Sequence, residues 1–259
     1  LVVDQDGSGR YLLTRTERWT GSLTIGDGWA SLEGVTGGNA PHAHLAHQMT
    51  AAIDRSLEVE CAGKVHLVPS GQYAIIPSGL AHSIGPSGTR IRSFYFDLAR
   101  FEVATKVSTR SFEIADPHLS AALDVYDDTG VFPGEILSQS IPDRRRNLPG
   151  HALVELLESA APAVTPRWVA QSLGVSSSRL RQISHSTFGV PISYVLQWRQ
   201  LQCAARALSE SASLADAADA GGFSDQAHFT RRMRRWFGVA PGAGLSGLDI
   251  RVSSSASGC

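Results

Sequence analysis

Two hydrophobic patterns divide the chain. Up to about residue 115, apolar residues come in short runs: Ser22–Ile25, Trp29–Val35, Leu57–Cys61, Tyr73–Ile76 and Ile91–Phe96. Turn signals separate them, among them Gly26-Asp27-Gly28, Gly37-Gly38-Asn39, Pro69-Ser70-Gly71, Pro77-Ser78-Gly79 and Pro86-Ser87-Gly88. Short strands at this spacing predict an antiparallel sandwich or barrel. From His151 onward Ala, Leu, Arg and Ser dominate, and the apolar period becomes helical. Between the halves, Leu119, Leu123 and Tyr126 share one face of a helix that Gly130, Pro133 and Gly134 interrupt, and Ile141–Pro149 reads as a linker.

The helical half holds an approximate duplication. Its first unit runs from Trp168 through Ala170 and Gly174 to Ser176, then from Ser177 to Phe188. The second runs from Leu214 through Ala218 and Gly222 to Phe223, then from Ser224 to Phe237. Ala170 and Ala218 are small enough for two helices to approach, and Gly174 and Gly222 can take a left-handed turn. Ser176 and Ser224 are the expected caps of the second helices. Leu180 and Ile183 in one unit, and Phe229, Met233 and Phe237 in the other, form the inward faces. Ile192–Leu208 is predicted as a helix of about 17 residues, roughly 25 Å long. That length can hold two recognition helices about one DNA turn, roughly 34 Å, apart.

Charge sharpens this picture. The 259 residues have a formal charge of −1, with 42% hydrophobic and 18% charged residues, which suits a folded core. Residues 1–149 hold 13 Lys+Arg against 17 Asp+Glu, whereas residues 150–248 hold 9 against 6. Arg231, Arg232, Arg234 and Arg235 concentrate the second half's excess, so that half is the one expected to meet a polyanion. No apolar run reaches membrane-span length, and Asp4, Asp6, Arg10, Arg15, Glu17 and Arg18 punctuate the start. Cys61, Cys203 and Cys259 share no metal spacing and cannot all pair, which fits a reducing interior. These features predict a cytoplasmic protein with no membrane partner. Arginine outnumbers lysine 21 to 2, as in a GC-rich bacterial genome.

Residues 150–248 resemble the DNA-binding domain of the AraC/XylS family of bacterial transcription regulators. The resemblance rests on Leu173-Gly174-Val175-Ser176, Phe188-Gly189-Val190-Pro191 with Tyr194, and Arg199 with Ala204-Ala205-Arg206-Ala207-Leu208. Its most specific stretch is Gly222 to Arg231, followed by Phe237-Gly238-Val239-Ala240-Pro241. Two departures are local: Gly221 stands at a usually apolar turn position, predicting looser packing there, and no Tyr-Arg follows Pro241. The resemblance implies base-facing roles for Ser178, Arg181 and Gln182 in the first unit and for Gln226, Ala227, His228 and Arg231 in the second. Arg181 can donate twice to guanine, and Gln182 can read adenine. Arg179, Arg232, Arg234 and Arg235 are expected at phosphates, which position without specifying, and His185 at either.

The first half is similar to the two motifs of the cupin barrel, a ligand-binding domain common in that family. His42-x-His44-x3-Gln48 stands for the first motif, and Gly71-x5-Pro77-x-Gly79-x2-His82 for the second. Carried over, His42, His44 and His82 match the metal-binding histidines. Gln48 replaces the usual Glu, His47 is a substitute ligand, and Pro86 replaces the closing Asn of the second motif. Three imidazoles suit Zn, Ni or Fe as a divalent metal. Without metal, the same groups would line an effector pocket with Trp29 and Tyr73, and with Trp19 and Phe94 as further lining candidates.

The sequence therefore predicts an α+β two-domain protein, a cupin-like β-barrel followed by an all-α domain with two helix-turn-helix units joined by a linker helix. The expected division is 1–115 for the effector-binding barrel, 116–149 for a helical dimerisation segment and linker, 150–248 for the DNA-binding domain and 249–259 for a flexible tail. Its expected role is transcriptional regulation as a homodimer on double-stranded DNA, with RNA polymerase as a further partner and a small-molecule effector as the input. Two enzyme readings compete. A cupin metalloenzyme with a DNA-binding appendage is opposed by Gln48 and by the complete helical domain. An Ada-type repair methyltransferase would need a cysteine cluster that these three residues do not make.

Overall fold

The computed structural model describes residues 2–5, 11–14, 18–26, 29–85, 88–96, 102–103, 111–115, 120, 137–138, 148–188, 190–210 and 212–253. The expected dimerisation stripe of Leu119, Leu123 and Tyr126 lies outside them. The described part has a sheet-rich first region and a helical second one.

Thirteen described strands precede the helices: β1 (Val2–Gln5), β2 (Tyr11–Thr14), β3 (Thr20–Gly26), β4 (Trp29–Val35), β5 (His47–Ala52), β6 (Leu57–Cys61), β7 (Lys64–Val68), β8 (Ala74–Ile76), β9 (His82–Gly85), β10 (Arg90–Phe96), β11 (Glu102–Val103), β12 (Glu113–Ile114) and β13 (Leu137–Ser138). The helices are α1 (Leu148–Ser159), α2 (Pro166–Ser172), α3 (Ser177–Phe188), α4 (Ile192–Ser209), α5 (Leu214–Ala220), α6 (Gln226–Phe237) and the single turn α7 (Pro241–Gly244), after which comes β14 (Leu248–Val252).

The strands form a seven-stranded sheet in the order β12-β8-β5-β10-β4-β3-β14 and a three-stranded sheet β7-β6-β9, besides the pairs β1-β2 and β11-β13. Among the described residues these sheets do not close into a barrel. The free edge of β3, which closure would use, is taken by β14 from the other end of the chain, in parallel register with Ile250 opposite Leu23. Residues 248–252 are thus a strand of the main sheet, where the sequence reading left a tail from 249. The two sheet regions are joined across an isolated bridge, in which His42 and His82 exchange both backbone hydrogen bonds at 2.9 Å.

Alternation explains why the strands stack. In β6, Leu57, Val59 and Cys61 are buried while Glu58 and Glu60 face solvent. Tyr73, Phe94 and Phe96 are nearly inaccessible and stack in sequence, with centroids 6.0 and 6.2 Å apart. Cys61 is a buried free thiol, and Cys203, buried in α4, is disulfide-bonded, which does not fit the reducing interior expected from the sequence.

The duplication seen in the sequence is repeated bond for bond in the two helix pairs. Val175 N–H reaches the Ala170 carbonyl at 2.9 Å and Gly174 N–H that of Gln171 at 3.0 Å. In the second pair, Phe223 N–H reaches Ala218 at 2.9 Å and Gly222 N–H reaches Asp219 at 2.8 Å. Gly174 and Gly222 have φ of +64° and +68°, the left-handed conformation that lets a helix stop and the chain turn. Ser176 caps α3 by accepting from Arg179 N–H at 3.2 Å. The cap of α6 is Asp225, not Ser224: its carboxylate accepts from His228 N–H at 2.6 Å, and an anion is the stronger acceptor at a helix N-terminus.

The two pairs differ in what they pack against. The first pair has its own core of Leu153, Leu157, Val169, Ala170, Leu180, Ile183, Phe188, Ile192, Val195 and Leu196. The second pair shares one core with the sheets, in which Phe223, Phe229, Met233 and Trp236 join Trp198, Leu201, Trp19, Ile25 and Leu32. Gln202 of α4 adds a hydrogen bond to the Gly26 carbonyl at 3.1 Å. Packing at Gly221 is tight rather than loose. A Cβ there would lie 2.7 Å from both the Gln200 carbonyl oxygen and the Phe223 ring. Gly221→Ala is therefore expected to cost about 1–3 kcal/mol of stability, measured by equilibrium urea unfolding; a neutral substitution would show that the turn can yield.

Candidate nucleic-acid interface and histidine cluster

Helical periodicity sets one face of α3 and α6 inward and the other outward. In α3, Leu180, Ile183, Ser184, Thr187 and Phe188 are buried, while Ser178, Arg179, Arg181, Gln182 and His185 are exposed. In α6, Phe229, Met233 and Trp236 are buried, while Gln226, Ala227, Arg231, Arg234 and Arg235 are exposed. Phe237, expected inside, is half-buried, and Trp236 fills the core in its place. The signal for Trp236 was its position three residues after Met233. The helix between the pairs, α4, has 18 residues and spans about 27 Å.

Several of the predicted DNA-contact residues make contacts within the protein. Arg232 donates from Nε to His228 Nε2 at 3.3 Å and from Nη1 to Gln197 Oε1 at 3.4 Å, and its guanidinium lies 6.0 Å from the Trp236 ring. His228 Nδ1 faces Ser224 Oγ at 3.2 Å. Arg179 donates to Gln182 Oε1 at 3.2 Å, a surface contact one turn apart on α3. Arg231, Arg234 and Arg235 project from the α6 surface.

The histidines converge as the motif spacing suggested. One candidate nitrogen from each of His42, His44 and His82 lies within 4.8 Å of the others, and all three side chains are buried. His42 and His44 come from the loop before β5, and His82 opens β9. Asn39 anchors the loop by accepting from Ile84 N–H at 2.9 Å, a contact that the sequence did not signal. His42 Nδ1 bonds the Ala40 carbonyl at 2.8 Å, and His82 Nδ1 bonds that of Leu80 at 2.9 Å. Each carbonyl can only accept, so each Nδ1 carries the proton and each Nε2 presents a lone pair. His42 Nε2 lies 3.1 Å from His44 Nε2, and His82 Nε2 lies 3.0 Å from the Gln48 side-chain amide. His44 Nδ1, His47 Nε2 and Gln48 Nε2 are buried without a hydrogen-bond partner among the described residues. His42 and His82, each with Nδ1 on a carbonyl and Nε2 free as a donor, could together with His44 hold a divalent transition metal.

Burial holds these rings neutral. It pushes His42 down to about 3, helped by the neighbouring His82, and His47 down to about 4, and it lowers His44 and His82 in the same direction. In the unfolded chain the same groups take protons near pH 6.5. Between pH 6.5 and 4 the unfolded state therefore binds more protons, and stability falls as pH falls. Each ring that stays neutral costs up to about 1.4 kcal/mol per pH unit in that window. The urea midpoint is expected to drop steadily from pH 7 to pH 5, and to drop less in His47→Leu; a flat profile in the parent would contradict the burial argument.

Beside the cluster, between the main sheet and α4 and α6, lies a cavity of about 100 Å³ with almost wholly apolar walls. Trp19, Leu23, Leu32, Leu201, Met233 and Phe237 form much of it, and His42 and His44 stand at its border. His47, Gln48, His82, Trp29, Tyr73 and Phe94 are buried elsewhere and do not line it.

The helix-turn-helix domain family matches residues 169–245, which takes in both helix pairs. No curated protein matches the chain. Among solved structures, an apo variant of ToxT from Vibrio cholerae is 8% identical, with 85% of this chain and 93% of that one covered and a TM-score of 0.50. A second ToxT structure from Vibrio cholerae is 8% identical over 79% of this chain and 91% of that one, with a TM-score of 0.49. The C-terminal domain of the two-component response regulator yesN from Fusobacterium nucleatum is 19% identical over 36% of this chain and 92% of that one, with a TM-score of 0.34. Residues 169–245 are thus a helix-turn-helix domain, and the sheet-rich and helical regions together have the two-part fold of that ToxT structure.

Proposed function

We propose that this chain is a DNA-binding transcriptional regulator of the AraC family, that it reads two successive major-groove segments with α3 and α6, and that a small-molecule effector in the sheet-rich, cupin-like region controls it. The observation that carries the reading is the outward face of each helix: Ser178, Arg181 and Gln182 on α3, and Gln226, Ala227 and Arg231 on α6, are set on two rigid helix-turn-helix units that α4 holds apart. Arg179, Arg234, Arg235 and His185 take the phosphates, and His228 and Arg232 brace α6 from within. The apolar cavity suits a small hydrophobic effector, and its walls come from both regions, so occupancy would favour one seating of α6 over another. The protein works as a homodimer beside RNA polymerase in the bacterial cytoplasm. Selection of bound duplexes from a random pool is expected to return a site with two elements about 10–10.5 base pairs apart. Recovery of duplexes with no common sequence would overturn it.

The converging lone pairs of His42 and His82 favour a second element of this reading, a divalent metal such as zinc, nickel or iron on His42, His44 and His82. Protein purified without a nickel column is expected to carry near-stoichiometric metal that a His42→Ala/His82→Ala variant loses. Folded, metal-free parent protein would remove this element and leave the organic effector as the input.

A further inference from the structure

We infer that a small apolar ligand in the cavity fastens β14 to β3 as a strap, and so ties the second helix pair to the main sheet. The inference rests on the effector reading of that cavity given above. β14 brings the chain back from the helical region into the main sheet. It runs parallel to β3, from Leu248 opposite Gly21 to Val252 opposite Ile25, and the Ile25 carbonyl accepts from Ser253 N–H at 2.8 Å. At the other end the Gly247 carbonyl accepts from Gly21 N–H at 3.3 Å. Entry into the sheet there demands glycine, because a Cβ on Gly247 would fall 2.1 Å from the Trp19 carbonyl oxygen.

The strap is lightly held. β14 is the outermost strand of the sheet, with a ladder on one side only. Its pairing is the one parallel pairing among the described strands, a geometry slightly weaker per residue. Asp249 and Arg251 face solvent and form an ion pair with each other. Leu248 and Ile250, on the inward side, are half-buried and form part of the cavity wall. Leu23 and Ile25 of β3, and Met233 and Phe237 of α6, wall the same space. A ligand there touches β14, β3 and α6 at once and supplies dispersion contacts to all three. No Lys, Arg, Asp or Glu is among the wall residues, so the space suits an apolar molecule. Its volume of about 100 Å³ sets the scale, since an apolar cavity of roughly 150 Å³ takes benzene. A ligand that binds only the fastened state suppresses the opening of β14, by roughly tenfold at a concentration ten times its Kd. Val239 and Leu245, in the segment that leads from α6 to β14, also wall the cavity, so fastening β14 fixes the C-terminal exit of α6 as well.

The test uses the full chain with fluorobenzene as the probe, its binding read by ¹⁹F NMR and the strap by amide hydrogen exchange. In the free chain the amides of residues 248–253 are expected to exchange faster than those of β10, the central strand of the sheet. At ten times its Kd, fluorobenzene is expected to slow them by roughly tenfold. Ile250→Ala withdraws part of the wall from the strap and is expected to weaken fluorobenzene binding by roughly tenfold. Arg251→Ala, on the outward side, is expected to bind as the parent does. Bound fluorobenzene with unchanged exchange in β14, or β14 amides protected as strongly as those of β10 in the free chain, overturns the strap. Equal binding by Ile250→Ala and the parent overturns it too. A parent that takes up no fluorobenzene overturns the effector reading of the cavity itself, and the ¹⁹F signal separates that outcome from the others. Should Ile250→Ala not fold, the exchange of the parent with and without fluorobenzene decides.

Discussion

Arg231→Ala is expected to weaken binding to the selected DNA site by about 1–3 kcal/mol and to relax sequence preference at one base pair. Arg231 is exposed on the turn of α6 that follows Gln226 and Ala227, and a guanidinium there can donate twice to a guanine edge. Arg234→Ala, one turn nearer the C-terminus, is expected to weaken all duplexes alike and to reduce the salt slope by about one. Arg232→Ala should behave differently again. Arg232 spends its donors on His228 and Gln197, so its loss is expected to lower stability before it alters specificity. Fluorescence anisotropy on matched and scrambled duplexes at several salt concentrations separates the three. Identical profiles for Arg231→Ala and Arg234→Ala would refute the division between base and phosphate contacts.

The second large effect concerns the two cores. Phe229 is 1% exposed in the core that joins the second helix pair to the sheets. Phe229→Ala is expected to cost about 3–5 kcal/mol, and to loosen the sheet region and α6 together because both share that core. Leu180 is 2% exposed in the separate core of the first pair. Leu180→Ala is expected to cost about 2–5 kcal/mol but to act on residues 148–196, leaving exchange in the main sheet unchanged. Hydrogen exchange on both variants reads this directly. If Leu180→Ala loosened β3 and β14 as much as Phe229→Ala does, the two cores would be one cooperative unit.

This asymmetry bears on regulation. Among the described residues only the second helix pair shares a core and a cavity with the sheets, so under the proposed function a signal bound there would reach α6 first. The first pair follows through α4, whose one end lies in each core: Ile192, Val195 and Leu196 in the first, Trp198, Leu201 and Ala204 in the second.

Much of this was legible from local signals. The Ala-x3-Gly spacing foretold both turns, because a small buried residue and a left-handed glycine are demanded by the backbone itself. The motif spacing foretold the meeting of His42, His44 and His82, since His42 and His82 pair across an isolated bridge and His44 lies two residues along the same loop. Gly221 was misread, because a glycine read as missing bulk turned out to be a close approach of two backbones. The α6 cap shifted by one residue because Ser224 and Asp225 both qualify locally, and only the helix direction selects between them.

The sequence by itself determined five of the strands and the helices of both pairs, where those pairs turn, and which faces of α3 and α6 carry charge. Periodicity, caps and glycine act over a few residues, so the order of side chains suffices. Tertiary structure alone decided that Leu248–Val252 completes the sheet beside β3, that Trp236 rather than Phe237 fills the core, and that the His44 ring meets the end of α6. Each of those joins residues far apart in the chain, and a contact of that kind depends on how two surfaces fit once both have formed, which no local pattern encodes.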